Sequence, residues 1–228
     1  MTRSFTSGIL MYSLSIGAMA QSSGLLYDPE PPADSAYVRV LSAADLDKVS
    51  VMINGKVHGQ PLANHQAGDY MVLSVGSHQI AVVPEGKKSA TLSTQLDVVR
   101  GHAMTVAFVS NQPSVAPILF EDKSGSNKLK AMLSVYQLAV KPQTVDILTA
   151  DGATKVFTGL AFGASGGIQV NPISVGLIAT PSGEKTPIAK TNITMGQGTA
   201  YSVFLLPGKN GKPVLSVVQN KIERYSGK

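Results

Sequence analysis

The segment PEGKKSATLST, beginning at Pro84, returns as PSGEKTPIAKT at Pro181, 97 residues later. Aligned from these prolines without gaps, Gly86 falls on Gly183, Lys88 on Lys185 and Thr94 on Thr191. Gly101 then meets Gly198, Ala103 meets Ala200 and Val106 meets Val203. An offset of this size is a domain length, far above the roughly 20–50-residue period of solenoids. A chain written twice in this way must build two units of one architecture. Two similar units also suit a protein that holds other molecules better than one that cuts them.

Each unit reads as β-structure. YVRVL (Tyr37 to Leu41) and VSVMI (Val49 to Ile53) are short runs rich in β-branched residues, and Asn54-Gly55 supplies the positive φ angles of a two-residue hairpin. YMVLSV and HQIAVV flank Gly76-Ser77, which reads as another hairpin turn. In the second unit Asp151-Gly152 follows VDIL, and Asn210-Gly211 precedes VLSVV. No window keeps an apolar period of 3.6 residues over three turns, so helices are expected to be minor. About seven short strands per unit suggest two tandem immunoglobulin-like β-sandwiches. EDKSGSNK (Glu121 to Lys128), polar and Gly/Ser-bearing, reads as the joint between them. The expected organisation is a first sandwich over residues 36–121, a linker over 122–128 and a second sandwich over 129–228.

The N-terminus adds a different signal. Arg3, an apolar run from Ile9 to Met19 and the Ala18-Met19-Ala20 site match a cleaved secretory leader over residues 1–20. The competing reading, a membrane anchor, is disfavoured by the shortness of the run. Residues 21–35, with prolines at 29, 31 and 32, are expected to be extended. Here Leu26 and Tyr27 stand outside any expected strand beside prolines that limit their freedom, which makes them candidate partner-binding residues. Folding back to cap the first sandwich is the alternative for the same two side chains. The chain has no cysteine, which rules out lipidation at the leader, disulfides and thiolate metal sites. An exported chain of this kind suits a bacterial periplasm.

Lys and Arg number 19 against 14 Asp and Glu, a net charge of +5, or +4 once Arg3 leaves with the leader. Lys209, Lys212, Lys221, Arg224 and Lys228 gather late and could attract an anionic polymer, or simply form a solvated face. No nucleic-acid recognition motif is present.

The catalytic inventory is poor. GASGG (Gly163 to Gly167) is a literal G-x-S-x-G around Ser165, but IQV follows where a nucleophile elbow needs a helix. No histidine lies beyond His102 to activate the hydroxyl. His58 and His65 share a loop with Asp69 nearby, so a metal site is conceivable, yet no metalloprotease or zinc spacing appears and loop histidines are the simpler reading. His78 alternates with Ile80 and Val82 and should share their face at a strand edge. A sugar-binding sandwich commonly offers an aromatic platform, and this chain has no Trp. No catalytic residue, metal site or cofactor is expected.

GLLYDPEPPADSAYVRVLSA (Gly24 to Ala43) resembles the N-terminal region of the alginate biosynthesis protein AlgF family. The matching residues are Gly24, Leu26, Tyr27, Pro29, Pro32, Ser35, Ala36, Tyr37, Val38, Arg39 and Val40. NPISVGL (Asn171 to Leu177) is similar to that family's Asn-Pro-x-x-Val strand. The resemblance implies a periplasmic accessory protein of exopolysaccharide O-acetylation. It implies a non-enzymatic adaptor whose partners are a periplasmic acetyltransferase, membrane-bound O-acyltransferase components and, in some form, the polysaccharide. NGKVHGQPLANHQ departs from the alginate version, which leaves alginate, cellulose or another polymer open. An anionic polysaccharide-binding module is the alternative function.

Overall fold

The computed structural model describes residues 33–44, 46–90, 92–109, 117–208 and 211–223. The first unit comprises β1 (Ser35–Ala43), β2 (Lys48–Ile53), β3 (Lys56–Ala63), β4 (Gln66–Ala67), β5 (Met71–Ser74), β6 (Gly76–Pro84), β7 (Leu92–Val98), β8 (Ala103–Val109) and β9 (Ile118–Glu121). The second comprises β10 (Ala131–Gln137), β11 (Thr144–Thr149), β12 (Lys155–Ala161), β13 (Ser165–Val170), β14 (Ile173–Pro181), β15 (Ala189–Met195), β16 (Ala200–Leu206) and β17 (Val214–Gln219). The molecule is nearly all β, as the turn-punctuated, β-branched sequence requires.

Each unit is a pair of sheets. In the first, β4 and β5 both pair with β1, which continues through β8 to β9, while the facing sheet runs β3–β2–β6–β7. The second repeats this order as β13–β10–β16–β17 and β12–β11–β14–β15. β1 lies parallel to β8, and β10 lies parallel to β16, at the same place in each unit. Register confirms the repeat. Ile80 opposes Thr94 on β6 and β7, and Leu177 opposes Thr191 on β14 and β15, both residues shifted by 97 positions. Even the irregularities recur, with a register shift between Val49 and Val51 and another between Val145 and Ile147.

Turn chemistry is obeyed at Asn54-Gly55. Their φ angles of 50° and 78° close the two-residue hairpin between β2 and β3, where Ile53 opposes Lys56. The Asn54 side chain accepts from Gln79 N–H at 2.9 Å and meets His78 Nδ1 at 3.0 Å. His78 also meets the Ser74 carbonyl, so its polar edge is satisfied while Ile80 and Val82 enter the core. Gly76-Ser77 is a correction. It does not close a hairpin, because β5 joins β1 in one sheet while β6 joins β2 and β7 in the other. Gly76, at φ 128°, bends the chain across from sheet to sheet.

Among the described residues, three hydrophobic clusters hold the molecule. One fills the first sandwich around Val38, Val40, Ile80, Leu96, Val106 and Phe108, and a second fills the other around Leu133, Val135, Ile147, Leu177, Val203 and Leu205. The third joins them: Leu41, Ala43, Ala107, Val109 and Phe120 meet Tyr136, Leu138, Phe204 and Leu206. β1, β8, β10 and β16 therefore bury both faces, which explains why VAFV and VFLL read as continuous apolar runs. The four sheets stack as one body.

Asp146 shows how the second unit specialises a shared position. Ser50 stands there in the first unit, since Ser50 opposes Val83 and Asp146 opposes Thr180. Asp146 is 5% exposed and accepts from Gly159 N–H at 2.9 Å, Ser182 Oγ at 2.8 Å and Lys155 Nζ at 3.3 Å. The Gly159 N–H above all, then Ser182 and Lys155, hold its carboxyl below the ordinary aspartate range despite burial. A depressed folded pKa stabilises above the unfolded value near ~4 and ceases to do so as pH falls through the lower folded value. Asp146→Ala is thus expected to cost about 1–3 kcal/mol at neutral pH and progressively less in acid. Thermal unfolding of both proteins across an acid pH series checks this.

Candidate functional site

Arg39 is the anomaly in the apolar strand YVRVL. Strand alternation sends Val38 and Val40 into the first core and Arg39 to the opposite face, against the second sandwich. Arg39 is 1% exposed there. A buried charge survives only if its donors are matched. Nε donates to Thr105 Oγ1 at 2.8 Å, Nη1 to Asn220 Oδ1 at 2.9 Å, and Nη2 to Ser202 Oγ at 2.7 Å and Tyr136 OH at 3.2 Å. Its Cζ lies 4.5 Å from the Tyr70 ring centre and 5.2 Å from that of Phe204, so aromatic faces carry part of the charge.

Asp122 answers from beyond the end of β9. Its N–H donates to the Ala103 carbonyl at 2.8 Å, extending the ladder and fixing the side chain. Oδ2 accepts from Tyr70 OH at 2.7 Å and Thr105 Oγ1 at 2.6 Å, and Oδ1 from Tyr136 OH at 2.6 Å. Thr105 and Tyr136 thereby bridge guanidinium and carboxylate through their hydroxyls. Burial, followed by the carboxylate's charge, drives the Tyr136 phenol far above its ordinary pKa. Tyr70 is driven higher still, by burial first, with Asp122 adding to it and Arg39 opposing. Both phenols stay protonated and act as donors.

A cleft of about 230 Å³ opens over this network between the sandwiches. Tyr37, Tyr70, Asp122 and Asn220 contribute to its walls, and Lys123, Lys128 and Lys130 supply its positive charge. Its hydroxyls have no histidine beside them, and Asp122 already accepts three hydrogen bonds. Such an arrangement can attract and hold an anion.

Among the described residues, the serine and histidines singled out from sequence do not line this cleft. Leu26 and Tyr27 lie outside the described residues. Ser165 begins β13 and pairs with Tyr136 of β10, a strand position without the strand-to-helix turn of a nucleophile elbow. His58 faces Glu223 at 2.8 Å rather than His65, beside a second cleft of about 240 Å³ that Asp69 also lines. His102 pairs with Glu121 at 3.2 Å. Among the described residues no group of three His, Cys, Asp or Glu could hold a metal ion. Arg39 was visible only within the family-like segment, and Asp122 only as a linker residue. The available signal was a lone charge inside a β-branched strand.

A family model described as alginate O-acetyl transferase AlgF matches residues 10–202 of this chain. The alginate biosynthesis protein AlgF of Pseudomonas aeruginosa is 29% identical over 218 residues, covering 93% of each chain. The protein of the same name from Pseudomonas syringae pv. tomato is 29% identical over 192 residues, covering 84% of this chain and 79% of its own. That of Azotobacter vinelandii is 26% identical over 191 residues, covering 83% and 81%. Among solved structures, the C-terminal domain of AlgF from P. aeruginosa aligns over 41% of this chain and 100% of its own, at 24% identity and a TM-score of 0.34.

Proposed function

Because this chain belongs to the AlgF family, whose members serve alginate biosynthesis and O-acetylation, we propose that it is a non-catalytic periplasmic adaptor. In this reading it links the acetyl-transfer components that modify an exopolysaccharide, alginate or a related polymer. The observation that carries the reading is the junction itself. Two duplicated sandwiches are locked through a third apolar core and a saturated Arg39–Asp122 network, a construction suited to presenting surfaces in fixed relation. The proposed partners are a periplasmic acetyltransferase and a membrane-bound O-acyltransferase component. Leu26 and Tyr27, on the segment ahead of β1, are proposed to contribute to docking.

The test separates presence from chemistry. Deleting the gene is expected to abolish polymer acetylation, and the wild-type chain to restore it. Ser165→Ala, at normal abundance, is expected to restore it equally, because no base stands ready to activate that hydroxyl. Polymer acetyl content measured in the three strains checks this, and loss of acetylation with stable Ser165→Ala protein would sink the non-catalytic reading.

A further inference from the structure

We propose that the cleft between the sandwiches docks an acidic, partly apolar segment of a partner protein. The inference rests on the adaptor reading and assigns it a surface. Three observations point to this occupant. First, charge: Lys123, Lys128 and Lys130 line the cleft, and among the described residues Lys123 and Lys130 form no ion pair. The carboxylate in the cleft wall, Asp122, is turned to its three hydroxyl donors and does not neutralise them. Second, an apolar side chain stands exposed beside the cleft, just outside its lining. Leu129, between Lys128 and Lys130 in the chain, is 68% exposed. A leucine flanked by lysines offers an acidic segment both charge pairing and an apolar neighbour.

Third, the aromatic groups do not form a sugar platform. Tyr70 is 5% exposed, and its ring face is already occupied by the Arg39 guanidinium at 4.5 Å. Tyr37 is only partly exposed at the cleft wall, and the chain has no Trp. A polysaccharide would meet lysines without a stacking face. An extended peptide needs none, because its carboxylates can spread along the rim while an apolar side chain covers Leu129. The floor beneath is rigid, since Arg39, Asp122, Tyr136 and Thr105 satisfy one another. A preformed surface of this kind binds with little ordering cost on its own side.

The experiment titrates the isotope-labelled mature chain with three probes: the peptide Leu-Glu-Glu-Leu-Glu-Glu, its lysine counterpart, and a uronate hexasaccharide. The acidic peptide is expected to shift backbone amide resonances of residues 123–132 and 198–200, and the basic peptide to shift none of them. Lys123→Glu combined with Lys130→Glu should weaken the acidic peptide about tenfold or more, as should raising salt above the physiological range. Leu129→Ser should weaken it by a smaller factor and leave the salt dependence of the remaining binding unchanged. Lys123 is exposed and Lys130 half-buried, and an unchanged melting temperature verifies the fold of the variant. Silence at the cleft, or undiminished binding by the charge-reversed protein, overturns the proposal. Saturable uronate shifts at the cleft without peptide shifts overturn it in favour of a saccharide site. Co-purification with the acetylation components keeps the two ideas apart: if wild type and the double variant both retain it, the cleft proposal falls and the adaptor reading stands. If wild type itself fails to co-purify, the adaptor reading falls.

Discussion

Arg39→Ala is expected to destabilise the protein by about 3–5 kcal/mol, the range for removing one member of a buried charged network. Thr105, Ser202, Tyr136 and Asn220 would each lose a donor, and Tyr70 and Phe204 the cation over their rings. For a chain of this size the melting temperature should fall by about 10 °C. Asp122→Ala should cost less, about 1–3 kcal/mol, because three hydroxyl donors lose their acceptor while the adjoining cleft can admit water to them. Removing both is expected to cost less than the sum of the two, since Thr105 and Tyr136 bridge the pair and can then bond differently. Calorimetry of the four proteins measures this. An Arg39→Ala protein with wild-type stability would show that the network contributes little to holding the sandwiches together.

Phe204→Ala should destabilise by a similar amount, about 3–5 kcal/mol, by a different route. Phe204 is fully buried in the shared core, with its ring stacked on Tyr136 at 4.7 Å, and Tyr136 meets Phe120 edge-on at 5.1 Å. Truncation opens a cavity where neither sandwich can collapse without disturbing the other. The corresponding residue of the first unit is Ala107, in the same cluster. Large and small side chains at equivalent positions let the two sheets interdigitate, a division of labour that identical copies could not achieve. The expected signature is unfolding in which the two units lose their common transition, seen as a broadened or split calorimetric peak. A single sharp transition at the wild-type temperature would refute the coupling assigned to this core.

The wrong hairpin at Gly76-Ser77 and the right one at Asn54-Gly55 rested on the same kind of sequence signal. They differ in what lies around them. Asn54-Gly55 joins strands that are hydrogen-bonded to each other, so local geometry is sufficient. Gly76 joins strands that are not bonded to each other: β5 pairs with β1, and β6 with β2 and β7, in two different sheets. A positive φ permits a turn and a crossing alike.

The chain's own order of residues carried the duplication and the β class, because identities at a fixed offset, β-branched runs and turn residues are local properties of a polymer. It also carried the membership in a family of alginate biosynthesis proteins. The junction was of another kind. Arg39 and Asp122 stand 83 positions apart and Arg39 and Ser202 stand 163 apart, and nothing in either neighbourhood announces the other. VFLL, a continuous apolar run, calls for two buried faces without saying what covers the second, and the approach of the other sandwich covers it. The cleft and its lysine rim arise from that same approach. Side chains distant in sequence acquire a common solvent-excluded space when the sheets pack, and it is this packing that turns a repeat into a shaped surface.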